Sequence, residues 1–146
     1  MRLLLIGLFS LLLCACWEQD EVISIESNGV MKWLVVAKPD WEFSSPEGVK
    51  KDLDYYVSKM REAGWSVQTK GTVTEHKDVV VGLTGNLKKV AKKTDFYEIQ
   101  SINQTSIKIE FLCPVVDDSR ITRVIKVKGS SSDPIVCSQG VQTFSY

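Results

Sequence analysis

The chain of 146 residues contains one histidine, His76, so any Ser-His-acid or Cys-His nucleophilic arrangement has to use it. It stands in Thr74-Glu75-His76-Lys77-Asp78, a polar, turn-like stretch in which the ring is expected to be solvated. There is no Gly-x-Ser-x-Gly elbow, no phosphate-cradling Gly-rich loop, no dinucleotide fingerprint and no His-Glu-x-x-His. One histidine and no Cys-x-x-Cys spacing provide no metal-ligand set. Two-carboxylate hydrolysis needs acids across a cleft, and the pairs Asp117/Asp118 and Asp52/Asp54 are merely neighbours in sequence. The expectation is a protein without catalytic residues, cofactor or metal.

The cysteines carry more. They are Cys14, Cys16, Cys113 and Cys137. Arg2 followed by Leu3 to Leu13 is a secretory n-region and apolar h-region of about eleven residues. As a helix it rises only about 16 Å, half the hydrocarbon thickness of a bilayer, so it does not span one. Leu13-Cys14-Ala15-Cys16 resembles the lipobox of bacterial lipoproteins: aliphatic at −3, small at −1, then the cysteine that is acylated. Cys14 fits less well because Leu13 would stand at −1. The resemblance implies removal of residues 1–15, a lipid on Cys16 and residence in the cell envelope, facing the periplasm. In enterobacterial lipoproteins an Asp after that cysteine favours the inner membrane. Trp17 stands there instead, so the outer membrane is favoured over the inner one. In an oxidising periplasm Cys113 and Cys137 are expected to pair as a disulfide.

Removing residues 1–15 from 146 leaves 131, enough for one domain. Bases and acids balance at 18 each before processing, and loss of Arg2 leaves about one net negative charge, giving no reason to propose nucleic acid as a partner. A chain that is 44% apolar and 25% charged has a globular composition.

The elements that hold these residues follow from local signals. Residues 17–29 carry four acids and no base and read as a flexible tether from the lipidated Cys16, with a span of about 20 Å. A short edge strand over Val22–Ile25 is the competing reading. Val30–Ala37 is β-branched and aromatic, a buried strand. Ser44 or Ser45 as N-cap, Pro46, apolar residues at 49, 53, 56, 57, 60 and 63, then Gly64, predict a helix over about 46–63. Strands are expected near 65–69, 79–83, 96–102, 107–112, 121–128 and 141–146, with 96–102 and 107–112 as a hairpin. Leu87–Lys93 fits either a short helix or a strand. The fold class is α+β over residues 30–146: one amphipathic helix packed on a mostly antiparallel sheet of five to seven strands.

Two surface features remain. If 87–93 is helical, Lys88, Lys89, Lys92 and Lys93 share a face that suits lipid phosphates or an acidic partner. Trp41 and Phe43 in the loop before the helix, and Tyr55 off its apolar face, are candidate protein-binding aromatics. Thr69-Lys70-Gly71 is similar to a segment of lipoprotein lysozyme inhibitors, but that fold's companion Ser-Gly-x-x-Tyr loop is absent. The sequence therefore points to an envelope lipoprotein acting by protein contact, as an assembly or accessory factor of an envelope, secretion or conjugation system. A phage- or plasmid-type exclusion or inhibitor lipoprotein is the alternative, and a carboxylate hydrolase the least favoured.

Overall fold

The computed structural model describes residues 17–26, 28–70, 76–102, 107–113, 120–127, 130–131, 135–137 and 140–145. The chain folds as β1 (Trp17–Ile25), β2 (Val30–Pro39), α1 (Pro46–Glu62), β3 (Ser66–Lys70), β4 (Val79–Asn86), β5 (Tyr97–Ile102), β6 (Ile107–Cys113), β7 (Arg120–Val127), β8 (Ser130–Ser131), β9 (Ile135–Cys137) and β10 (Gly140–Ser145). The main sheet runs β3-β4-β2-β1-β7-β8, with β9 also pairing β7, and a smaller sheet runs β10-β6-β5. An α+β, sheet-dominated fold is what the sequence suggested. The single sheet it suggested is instead two, and β1 pairs β7 in parallel.

Residues 17–25, expected as tether, are a strand with a neighbour on each side, antiparallel β2 and parallel β7. The physical reason lies in alternation. Glu21, Ile23 and Ile25 point into the core while Glu18 and Asp20 are exposed, so two of the four acids that suggested a solvated chain belong to the outer face of a strand. The inward acid, Glu21, meets Arg123, its register partner on β7. Gly29, at φ +82°, closes the β1–β2 turn in the left-handed region.

Helix α1 begins where its caps dictate. The Ser45 hydroxyl accepts from the Gly48 amide at 3.1 Å, and Pro46 occupies the first turn. It ends in a Schellman arrangement, with Trp65 N–H donating to the Met60 carbonyl at 3.0 Å and Gly64 at φ +94°. Val49, Val57 and Met60 are buried.

The core lies on one face of the main sheet, closed by α1 and the smaller sheet. Trp33 sits at its centre, edge-on to Phe111, Trp65 and Tyr97 with centroids 5.3, 6.2 and 6.4 Å away. Trp65 Nε1 donates to the Tyr97 hydroxyl at 2.8 Å, which donates onward to the Ala91 carbonyl at 2.7 Å. Gly85 makes room for this cluster: a Cβ there would stand 2.7 Å from the Trp65 ring. Residues 87–93 are neither helix nor strand. They form a turn held by Asn86, which accepts from the Lys88 amide, and anchored by buried Leu87 and Val90.

Candidate functional site

The four lysines do not form the common face that a helix would give them. Lys88 and Lys92 line a groove of about 370 Å³ together with Ile99, Gln100, Ser101 and Ile102. Lys93 turns away to Glu98 at 3.4 Å, and Lys89 is exposed. Two features of β5 build the groove. Beside Lys92 and Lys93 the strand is bonded, with Ile99 N–H donating to the Lys92 carbonyl at 2.7 Å. Beyond that point the β5–β6 register shifts between Ile99 and Ser101, so Gln100 stands outside the ladder, as in a bulge. The Lys92 ammonium donates to the Leu87 carbonyl, which uses one of its three protons. Two ammonium groups, an amide and a hydroxyl over two isoleucines, with no acid among the described lining residues, suit the carboxylate of an extended segment.

The three aromatics separate as well. Phe43 is 75% exposed, the most exposed large apolar residue described. Its turn is fixed: Phe43 and Ser44 amides donate to the Asp40 carbonyl at 3.0 and 2.8 Å, and the Glu42 amide to Asp40 Oδ1 at 3.1 Å. Trp41 stacks on His76 with centroids 4.9 Å apart and planes at 22°, so the solvated turn histidine is a lid on a tryptophan. Tyr55 is half-buried against Phe96 at 6.4 Å, and its hydroxyl donates to Asp95 at 2.7 Å. Desolvation first, then the Asp95 carboxylate, push its phenol up to about 12. Tyr55 is thus engaged within the chain, whereas Phe43 is presented.

Of the acid pairs, Asp54 takes the Lys50 ammonium one helical turn away, and Asp52, partly buried, has its carboxyl raised by desolvation. The two do not share a cleft. Asp117 and Asp118 lie outside the described residues, as does Cys16. Cys113 and Cys137 end β6 and β9; the register partner of Cys113 is Gly140, three residues after Cys137. Among the described residues no group of three His, Cys, Asp or Glu is placed to hold a metal ion.

The most unusual charge arrangement is one that sequence reasoning missed. Glu21 and Arg123 are each 2% exposed and form an ion pair. Gln19 Nε2 donates to Glu21 Oε1 at 2.6 Å, and the Arg123 guanidinium lies 4.9 Å from the Phe111 ring centroid. Nearby, neither the buried Tyr56 hydroxyl nor Trp33 Nε1 finds a hydrogen-bond partner among the described residues. Burial, and next the Glu21 charge, drive the Tyr56 phenol well up, with Arg123 opposing. Closed from solvent, this cluster fixes β1 beside β7 and offers a substrate no access. Only the alternation of Glu21 with Ile23 and Ile25 hinted at it, because the counter-charge lies 102 residues away.

Comparison with protein-family models, curated proteins and solved structures gives no match.

Proposed function

We propose that this chain is an envelope lipoprotein, anchored by a lipid on Cys16, that works by binding a protein at the membrane surface. The observation that carries the reading is the lipobox-like Leu13-Cys14-Ala15-Cys16 standing directly before Trp17, the first residue of β1. A lipid on Cys16 is then joined to an interior strand of the main sheet with no spacer. The domain rides on the bilayer surface, and a partner has to come to it. The residue after Cys16 is Trp17, which favours the periplasmic face of the outer membrane.

Two features support contact rather than catalysis. Phe43 is displayed on a turn held by three hydrogen bonds, the rigid aromatic presentation that anchors protein interfaces. The Lys88/Lys92 groove is suited to an acidic segment of the partner. Cys113 and Cys137 complete the reading as a periplasmic disulfide closing a loop of about 25 residues, worth roughly 3.5 kcal/mol by loop entropy.

The test is metabolic labelling with palmitate and membrane fractionation of the wild type and Cys16→Ser. Wild type is expected to take label and sediment with outer membrane, whereas Cys16→Ser takes none and is soluble or unprocessed. A Cys16→Ser chain that is processed and still sediments with membranes contradicts the anchor. Pull-down with Phe43→Ser and Lys88→Glu/Lys92→Glu, each still anchored, then reports on the contact surfaces separately from the anchor.

A further inference from the structure

The face of the main sheet opposite the core has no helix or sheet over it among the described residues, and its chemistry is banded. Register pairing puts Val124, Val22, Leu34, Gly82 and Gln68 in one row across five strands. To one side lies the row Lys126, Ser24, Lys32, Thr84 and Ser66, and to the other Thr122, Asp20, Val36, Val80 and Lys70. Leu34 is 42% exposed in the middle of it. Gly82, beside Leu34, is the first of the two glycines of β4, and unlike Gly85 it is held to its size by no packing constraint among the described residues. Among the described residues a Cβ there would meet only the Gln68 carbonyl oxygen, at 3.9 Å. A glycine inside a strand leaves room for another backbone to approach its face closely.

We infer that this face is a twofold interface with a second copy of the chain, its axis lying along the Val124–Val22–Leu34–Gly82 row. A twofold contact must be self-complementary, and this axis makes it so. It sets Leu34 against Leu34 and Gly82 against Gly82, and brings the Asp20 row of one copy over the Lys126–Ser24–Lys32 row of the other. Asp20 then faces the partner's Ser24, flanked by the partner's Lys32 and Lys126. An axis turned to run along the strands between β2 and β4 would set Asp20 against the partner's Lys70, but it would carry Val22 away from its own copy, so the two arrangements differ in which positions meet themselves. Within one copy Asp20 holds Lys38 at 2.7 Å and Lys32 holds Glu26 at 2.9 Å, so the dimer extends existing ion pairs into a shared network. The face measures roughly 20 by 25 Å from strand spacing and rise. Two such faces lie near the lower end of specific interfaces, about 1,000 Å² in total, which makes the dimer reversible and concentration-dependent.

Cysteine cross-linking of the purified full chain with a short bis-maleimide tests the axis, whether or not Cys16 carries lipid. Positions on the axis meet their own copies. Leu34→Cys and, as a second position, Val22→Cys are expected to give covalent dimer several-fold above the parent chain, which controls for the native cysteines. Thr84→Cys, off the axis, is expected to stay at the parent level. Adding Asp20→Lys to Leu34→Cys reduces the dimer several-fold, and further adding Lys32→Asp and Lys126→Asp restores it. If folded, protease-resistant Leu34→Cys and Val22→Cys chains stay at the parent level, or Thr84→Cys cross-links as readily as Leu34→Cys, the interface is wrong.

Discussion

Asp20 and Glu21 are neighbours on β1, and each carboxylate meets a base from an adjoining strand, but on opposite faces of the sheet the two pairs do different work. Asp20 and Lys38 are about half exposed and 2.7 Å apart, a surface pair that water and salt screen. Glu21 and Arg123 are shut in the core with Gln19 and the Phe111 ring. There the desolvation of two charges is offset only while both are present. The lesson is that burial, rather than charge or pairing, decides what an acid in this strand does. The inner pair specifies that β1 lies beside β7, whereas the outer one leaves the sheet face available to something else.

The sharpest way to break this contrast is to remove half of the inner pair. Arg123→Met strands the Glu21 carboxylate in the core and is expected to cost about 3–5 kcal/mol, as breaking buried pairs does. The double variant Glu21→Leu/Arg123→Met is expected to recover most of it. Urea denaturation of the three chains decides the matter, and a double variant as unstable as the single one would show that the pair itself stabilises the fold. The two glycines of β4 pose the same question without charge. Gly85→Ala on the inner face drives a methyl into Trp65 and should cost about 1–3 kcal/mol. Gly82→Ala, three residues earlier on the outer face, is expected to stay within about 0.5 kcal/mol. Thermal unfolding at low protein concentration separates them.

The smallest effect belongs to the outer pair. The Asp20 hydrogen bond, and then its charge, hold the Lys38 ammonium above its ordinary 10.5. A base raised on folding contributes stability below its unfolded pKa and loses it as pH climbs through the folded value. Asp20→Asn should therefore lower the Lys38 pKa, read by titration of its side-chain NMR signals, and leave the unfolding midpoint at neutral pH unchanged in physiological salt. A clear drop in that midpoint would mean that the outer face is less solvated than its exposure indicates.

How far the sequence showed this architecture depended on where each signal's partner lay. The helix was readable because Ser45, Pro46 and Gly64 act within a few residues of the backbone groups they satisfy. The β5–β6 hairpin was readable for the same reason. β1 was not, since its defining partner, Arg123, sits 102 residues on, and without it four acids in thirteen residues resemble a solvated tether. The groove at Lys88 and Lys92 depends on a one-residue register shift at Gln100, and a shift of that kind leaves no mark in hydrophobic periodicity. Tyr55 looked free by helical position, and only the return of Asp95 beside it, 40 residues later, shows otherwise. The exposure of Phe43 was readable because the turn that presents it is closed by its own Asp40, a local event.

The central claim, a lipid fixed one residue before an interior strand, is tested most directly by mass spectrometry of the mature N-terminal peptide. Cleavage after Lys32 should release a peptide that begins at Cys16 and carries a thioether-linked diacylglycerol. An N-terminal peptide beginning at Met1, or one beginning at Cys16 with a free thiol, would contradict the account.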